Sequence, residues 1–266
     1  MQDDDATSGA ATPEAFPEAA RDRIAALEQE LALLRSRHDE LLARVSHDLR
    51  TPLVAGLGYV ELLLEGRLGR VSARGLERLA VARDNLRWLG QRIDDLVTFY
   101  RLSGGVAAPL SRDPCVLPPL LQEVAALAAD RVAQRHARLE LDLPATLPDV
   151  RADPESLGRV LAQLVDNALR HNDPGVAVRL VAELVPGPRV RVAVVDDGAS
   201  LSPRRLQALQ EPGPAGARRG GIGLPLVRLL LARQGTTLEL RAASGAGLWA
   251  GFVLDAVTSP VDSPGG

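Results

Sequence analysis

Cysteine is almost missing from this 266-residue chain. The single Cys115 rules out an intrachain disulfide framework. Aromatic residues make up only 3%, so a core has to be built from Leu, Val and Ala; at 46% hydrophobic content there is enough for one or two domains. Lysine is absent. All 31 basic residues are arginine, set against 34 acidic ones, and the net charge of −3 leaves no basic stripe of the density that nucleic-acid binding requires. No apolar run approaches the roughly 20 residues of a membrane span. The opening Met-Gln-Asp-Asp-Asp has neither the basic nor the apolar part of a signal peptide. The expectation is a soluble, cytoplasmic protein with no nucleic acid among its partners.

What is present is organised by period. Residues 1–18, acidic and rich in Ala, Pro and Thr, read as a disordered tail. From about residue 20, Ile24, Leu27, Leu31, Leu34, His38, Leu41 and Val45 alternate spacings of three and four, which is a heptad seam. The pattern continues through Leu53, Leu57, Val60, Leu63 and Leu64 and stops near Gly66 to Gly69. A second helix over about 71–102 carries Leu76, Leu79, Leu86, Ile93, Val97 and Tyr100. Two long helices joined by a short Gly-containing loop form an antiparallel hairpin. One hairpin buries too little by itself, so the expectation is a homodimer that completes a four-helix bundle.

Residues 103–114 read as a linker. After it the pattern becomes mixed, with helices expected at 118–136, 154–171, 202–210 and 224–234. Strands are expected at 138–143, 176–185, 189–196, 236–242 and 248–255, several with the period-two alternation of a half-buried sheet. The fold class is therefore a dimeric helical hairpin (19–102) followed by an α/β sandwich (115–257), with a short tail at 258–266.

The most informative run is Arg44-Val-Ser-His-Asp-Leu-Arg-Thr-Pro-Leu53, inside the first helix. A neutral imidazole has one nitrogen free to attack and one that carries a proton. Asp48, next to His47, is placed to hold that proton and raise the nucleophilicity of the other nitrogen. Thr51 lies one turn on, where its hydroxyl could orient a water, and Pro52 removes a backbone donor and is expected to bend the helix.

Over eight consecutive residues this run resembles the phospho-acceptor box of sensor histidine kinases, Ser-His-Glu/Asp-Leu-Arg-Thr-Pro-Leu. Three later patches resemble the ATP-binding fold that those kinases share with gyrase-type enzymes and related chaperones. Leu161-Ala-Gln-Leu-Val-Asp-Asn-Ala-Leu-Arg-His-Asn172 looks like the family's asparagine box. The resemblance makes Asn167 the Mg²⁺ ligand through its amide oxygen, with Arg170 and His171 facing phosphate and Gln163 one turn before Asn167. Val194-Val-Asp-Asp-Gly198 ends an apolar strand; the resemblance makes Asp196 the carboxylate that reads adenine, with Gly198 admitting the base. Gly220-Gly-Ile-Gly-Leu-Pro-Leu226 opens a helix, where amides and dipole both favour phosphate, and Gly221, Gly223 and Leu224 are its candidate contacts.

The chain departs from the family's pattern at Ser200 and Pro225, where glycines are usual. It also has a short segment, 201–219, that lacks the lid's aromatic box; Pro212, Gly213, Pro214 and Gly216 suggest a mobile lid, with Arg218 and Arg219 available for phosphate. Taken together, the resemblance implies an enzyme that uses ATP and Mg²⁺ to phosphorylate His47. The phosphoryl group would pass to an aspartate of a response-regulator receiver domain, and Thr51 would serve a reverse, dephosphorylating reaction. Two alternatives stand beside it. One is a phosphotransfer or scaffold protein whose ATP domain has degenerated. The other is a gyrase- or chaperone-like ATPase, in which a glutamate base would stand where this chain has Gln163. The stretch before the box is too short for a sensor domain beside the coiled coil, so input is expected from a partner, the coiled coil or the acidic tail.

Overall fold

The computed structural model describes residues 18–103, 113–210 and 221–257. Helix α1 (Glu18–Leu64) and helix α2 (Ala73–Ser103) form the expected antiparallel hairpin, and α1 stays helical through Pro52. Its end is set by Gly66, whose φ of 73° is open to glycine at little cost. Gly66 N–H bonds to the Leu63 carbonyl (3.1 Å) and Arg67 N–H to that of Leu62 (2.9 Å), which satisfies two orphan carbonyls of the last turn. Helix α2 starts with Ser72 Oγ accepting from Gly75 N–H at 3.2 Å, a side-chain cap. Arg50 on α1 pairs with Asp94 on α2 at 3.1 Å, and Arg87 on α2 with Glu61 on α1 at 2.8 Å. These cross-links hold the two helices in register.

Beyond the hairpin lie β1 (Pro114–Cys115), α3 (Leu117–Gln134), β2 (Arg138–Asp142), β3 (Val150–Arg151), α4 (Pro154–His171) and β4 (Ala177–Val185). There follow β5 (Arg189–Asp196), α5 (Pro203–Gln210), α6 (Gly223–Arg233), β6 (Glu239–Ala242) and β7 (Leu248–Asp255). The main sheet has the order β2-β4-β5-β7-β6, parallel between β2 and β4 and antiparallel elsewhere. The small β1–β3 pair, which the sequence did not signal, closes beside it. The strand expected from residue 236 starts at Glu239; Thr236 instead donates its hydroxyl to the Val253 carbonyl at 2.7 Å.

The core is aliphatic, as the shortage of aromatics requires. Leu117, Leu121, Leu157, Val160, Leu161, Val165, Leu180, Val190, Val192, Val227 and Leu231 are fully buried around Phe252. Alternation puts Val178, Leu180 and Ala182 of β4 inside, while Arg179 and Glu183 face out, where Glu183 pairs with Arg191 at 2.8 Å. Helix α4 begins with Asp153 capping the Ser156 amide at 2.7 Å and Pro154 in its first turn. Ser103 closes α2 and Pro114 lies in β1. The rest of the expected linker (104–112), most of the tail at 1–18, the tail at 258–266, and Pro212 to Gly220 of the lid and glycine loop lie outside the described residues.

Candidate functional site

His47 stands on the outer side of α1 with its side chain 81% exposed. Its Nδ1 lies 3.4 Å from Asp48 Oδ1, and Nε2 has no hydrogen-bond partner among the described residues. Thr51 Oγ1 donates to the His47 carbonyl at 3.1 Å, so its hydroxyl sits one turn from the imidazole on the same helix. No hydrogen bond or ion pair among the described residues joins His47 to the α/β domain.

In that domain the sequence-expected residues gather at two points. At the first, Gln163 Nε2 donates to Asn167 Oδ1 at 3.2 Å. A Cβ built on Gly223 would come within 2.5 Å of the same Gln163 nitrogen, so a side chain there would have to displace the Gln163 amide from Asn167. Helix α6 has no side-chain cap at Ile222, which leaves the amides of Gly223 and Leu224 without an intrahelical partner. Pro225 fits within that first turn: the Leu226 amide still closes on the Ile222 carbonyl at 2.9 Å. Gly221 has a φ of 72°.

The second point is Asp196, only 7% exposed at the end of β5. Its Oδ1 accepts from the amides of Gly198 (3.1 Å) and Leu248 (3.3 Å). Burial pushes its carboxyl above the ordinary value, against the pull of those amides and of Asn172. A side chain on Gly198 would overlap the Asn172 amide, and one on Gly247 (φ 90°) would overlap the Asp196 backbone carbonyl. Asn172 itself donates to the Ala168 carbonyl (2.9 Å) and accepts from Ala199 N–H (3.2 Å), tying the end of α4 to the loop after β5. Gly247, Leu248 and Asn172 were not singled out from sequence. Only Asn172 had a local signal, as the last residue of the box.

Arg170 and His171 behave differently from the rest. Arg170 hydrogen-bonds Asp166 and lies over the Trp88 ring of α2 at 5.1 Å. Burial, then Arg170 and Arg205, hold the His171 imidazole below its usual range. Asp166, which sequence reasoning passed over, is the hub of this corner. Its side chain is 14% exposed and accepts from Arg92 of α2 (3.1 Å), Arg131 of α3 (3.0 Å) and Arg170.

The residues fit a nucleotide with Mg²⁺. A buried carboxylate set among backbone amides, with glycines on two sides, suits an amine-bearing base, and the uncapped start of α6 suits phosphate. No group of three or more His, Cys, Asp or Glu able to hold a metal ion exists among the described residues. An ion such as Mg²⁺ takes one or two protein oxygens and otherwise water and phosphate, and the Asn167 amide oxygen beside Gln163 is of that chemical type.

Comparison with known proteins gives the same picture. Residues 37–105 match the His Kinase A (phospho-acceptor) domain, and residues 152–258 match the histidine kinase-, DNA gyrase B-, and HSP90-like ATPase domain. The chain belongs to the two-component sensor histidine kinases. Adaptive-response sensory kinase SasA of Synechococcus sp. (strain JA-2-3B'a(2-13)) is 30% identical over 232 residues, covering 83% of this chain and 61% of that protein. Sensor histidine kinase AruS of Pseudomonas aeruginosa is 33% identical over 221 residues, 78% of this chain but 22% of that protein. The chain thus spans only part of the length of these relatives. Among solved structures, full-length ShkA in complex with AMPPNP superposes with a TM-score of 0.59 at 28% identity, over 84% of this chain and 47% of that one. The phospho-acceptor match sets the chain apart from gyrase-type and chaperone ATPases. Among the described residues no helix is long and apolar enough to cross a membrane.

Proposed function

We propose that this chain is an ATP-dependent protein histidine kinase that phosphorylates His47 and passes the phosphoryl group to an aspartate of a response-regulator receiver domain. The observation that carries the reading is His47 itself: Nδ1 beside Asp48 Oδ1, Nε2 open, on a helix hairpin followed by an α/β domain that matches the histidine kinase-type ATPase model. ShkA, similar over most of this chain, was solved with AMPPNP bound.

Asp196 would accept from the exocyclic amine of adenine, with Gly198 and Gly247 giving the ring room. Gly221, Gly223 and Leu224 would present amides to the phosphates, and His171 would stand at their edge. Mg²⁺ held by Asn167 and the phosphates would neutralise charge on the transferred group. Asp48 holds the Nδ1 proton, so the Nε2 lone pair attacks the γ-phosphorus in line while its bond to the β–γ bridging oxygen breaks and ADP departs. In the reverse sense Thr51 would swing its hydroxyl from the His47 carbonyl to orient a water against the phosphorylated regulator.

The partner in assembly is a second copy of the chain. Ile24, Leu27, Leu31, Leu34, Leu41 and Val45 are all exposed on a single chain, and a heptad seam of that length is buried by pairing.

The test is incubation with γ-labelled ATP and Mg²⁺, comparing wild type with His47→Ala. Acid-labile, alkali-stable label that disappears in the variant is expected. A folded, nucleotide-binding wild type that takes up no label would sink the kinase assignment.

A further inference from the structure

Seven positions of α1 alternate spacings of three and four from Ile24 to Val45, and six of them are Ile, Leu or Val. The seventh is His38. Written as a heptad, Ile24, Leu31, His38 and Val45 share the a position, and Leu27, Leu34 and Leu41 the d position. The apolar members are half exposed on a single chain, from 46% at Leu27 to 60% at Leu41, and His38 is exposed with them. Helix α2 reaches this level and stops. The Tyr100 ring meets the His38 imidazole edge-on, with centroids 5.7 Å apart and planes at 79°, and α2 ends at Ser103. Helix α1 starts at Glu18, so it overhangs its own hairpin by about four turns.

The overhang dictates how a second copy pairs. With the two hairpins joined in one bundle, the overhanging seams cover each other only if both emerge from the same end. The two copies of α1 then run parallel, and each seam residue meets its own counterpart. Two His38 imidazoles face each other at an a position. Neutral imidazoles tolerate such a site, since each carries one donor and one acceptor for the other. Two imidazolium ions in contact repel. A polar residue at a single a position also fixes register, but asparagine would do that without a charge. The other charged or titratable groups at this level are Tyr100 and Arg101 of α2, with Arg35, Arg37 and Asp39 beside His38 in sequence. No hydrogen bond or ion pair among the described side chains links any of them to His38.

We propose that His38 makes the pairing of α1 sensitive to pH: two neutral imidazoles sit within the seam, and their protonation opens the pair at the level of Tyr100. The inference rests on the dimer reading above and adds its regulation. Imidazole changes charge between about pH 5 and 8. Because pairing disfavours the second proton, acid disfavours pairing. The nine residues from His38 to His47 lie on one continuous helix and span about 14 Å. A change in the pair at His38 therefore reaches the phospho-acceptor turn as a shift or rotation of the same helix.

The experiment uses the full chain. Sedimentation velocity gives the dimer dissociation constant at about pH 7.5 and about pH 5.8 for wild type, His38→Asn and His38→Leu. The other histidines, His47, His136 and His171, are common to all three proteins, so a step that only wild type shows belongs to His38. Wild type is expected to dissociate about tenfold more readily at the lower pH, and both variants to change by less than about twofold. His38→Asn keeps a polar residue in the seam and His38→Leu fills it with an apolar one, so one variant decides if the other fails to fold. A wild type that pairs equally well at both pH values, or variants that weaken as much as wild type, overturns the switch alone. A wild type that stays monomeric at micromolar concentration at both pH values removes the dimer reading and the switch with it.

Discussion

His47 Nδ1 and Asp48 Oδ1 stand 3.4 Å apart on the exposed side of α1. The separation is long for a hydrogen bond, yet it is of the kind that tightens when charge builds on the ring. Adjacent residues on a helix point about 100° apart, so the contact depends on the carboxylate turning back toward the imidazole. Among the described residues no other hydrogen bond or ion pair competes for that oxygen.

Asp48→Asn keeps the shape and removes the charge. It is expected to slow phosphorylation of His47 about a hundredfold or more while leaving nucleotide affinity unchanged. Thr51→Ala is expected to leave the forward rate within about threefold and to depress dephosphorylation of a phosphorylated receiver domain. Single-turnover labelling and a regulator-dephosphorylation assay separate the two.

Asp196→Asn tests the base-reading carboxylate. Losing a charge-assisted acceptor at a buried site costs about 1.5–3 kcal/mol, so nucleotide affinity should fall by at least about tenfold. Circular dichroism should show the fold intact. Affinity within about twofold of wild type would remove Asp196 from the adenine site.

The pH dependence of binding follows from the same residue. Burial raises the Asp196 carboxyl above its usual 3.8, and the form that accepts from an amine is the carboxylate. Nucleotide affinity should therefore decline on acidification at a pH where ordinary carboxylates are still ionised, and the Asp196→Asn variant should lack that step. Stability runs the opposite way. With the folded value raised, the native state holds the proton more tightly than the unfolded chain, so this contribution is full below the unfolded value and is lost as pH rises through the folded one. Calorimetry alongside titration checks both slopes.

Replacing Leu27 and Leu34 together by Asn should dissociate the proposed dimer, since both lie on the exposed seam of α1. Sedimentation velocity gives the mass directly. A monomeric wild type at micromolar concentration would overturn the pairing.

In the core, Phe252→Ala should cost about 3–5 kcal/mol, because this fully buried ring is the largest side chain at the centre of a core otherwise made of Leu, Val, Ala and Cys115. Chemical denaturation of the folded chain measures it.

Much of this is legible in the amino-acid sequence. The hairpin came from a three-four spacing that a helix turns into one face, and β5 and β7 fall on the residues that alternation marked. The chemistry of His47, Asp48 and Thr51 sits within five consecutive residues, so one helical turn is enough to assemble it. Asn167 and Gln163 likewise share one face of α4. Thr236 shows the limit within an element: its β-branched side chain suits a strand, but Gly235 at φ 79° turns the chain and its hydroxyl is used on Val253 instead.

Tertiary structure alone decided the rest. Leu248 reaches Asp196 across 52 residues, and Arg92 reaches Asp166 across 74. Local rules describe which way a side chain leaves its own helix or strand, and they read Arg92 as one more solvated charge on α2. Only when the α/β domain docks does that side chain lose its water and have to find a carboxylate, because a charge taken out of solvent must be paired. The period and the motifs therefore determined the elements and the reacting groups, while tertiary packing determined which charges meet across elements, as Arg92 and Arg131 do at Asp166.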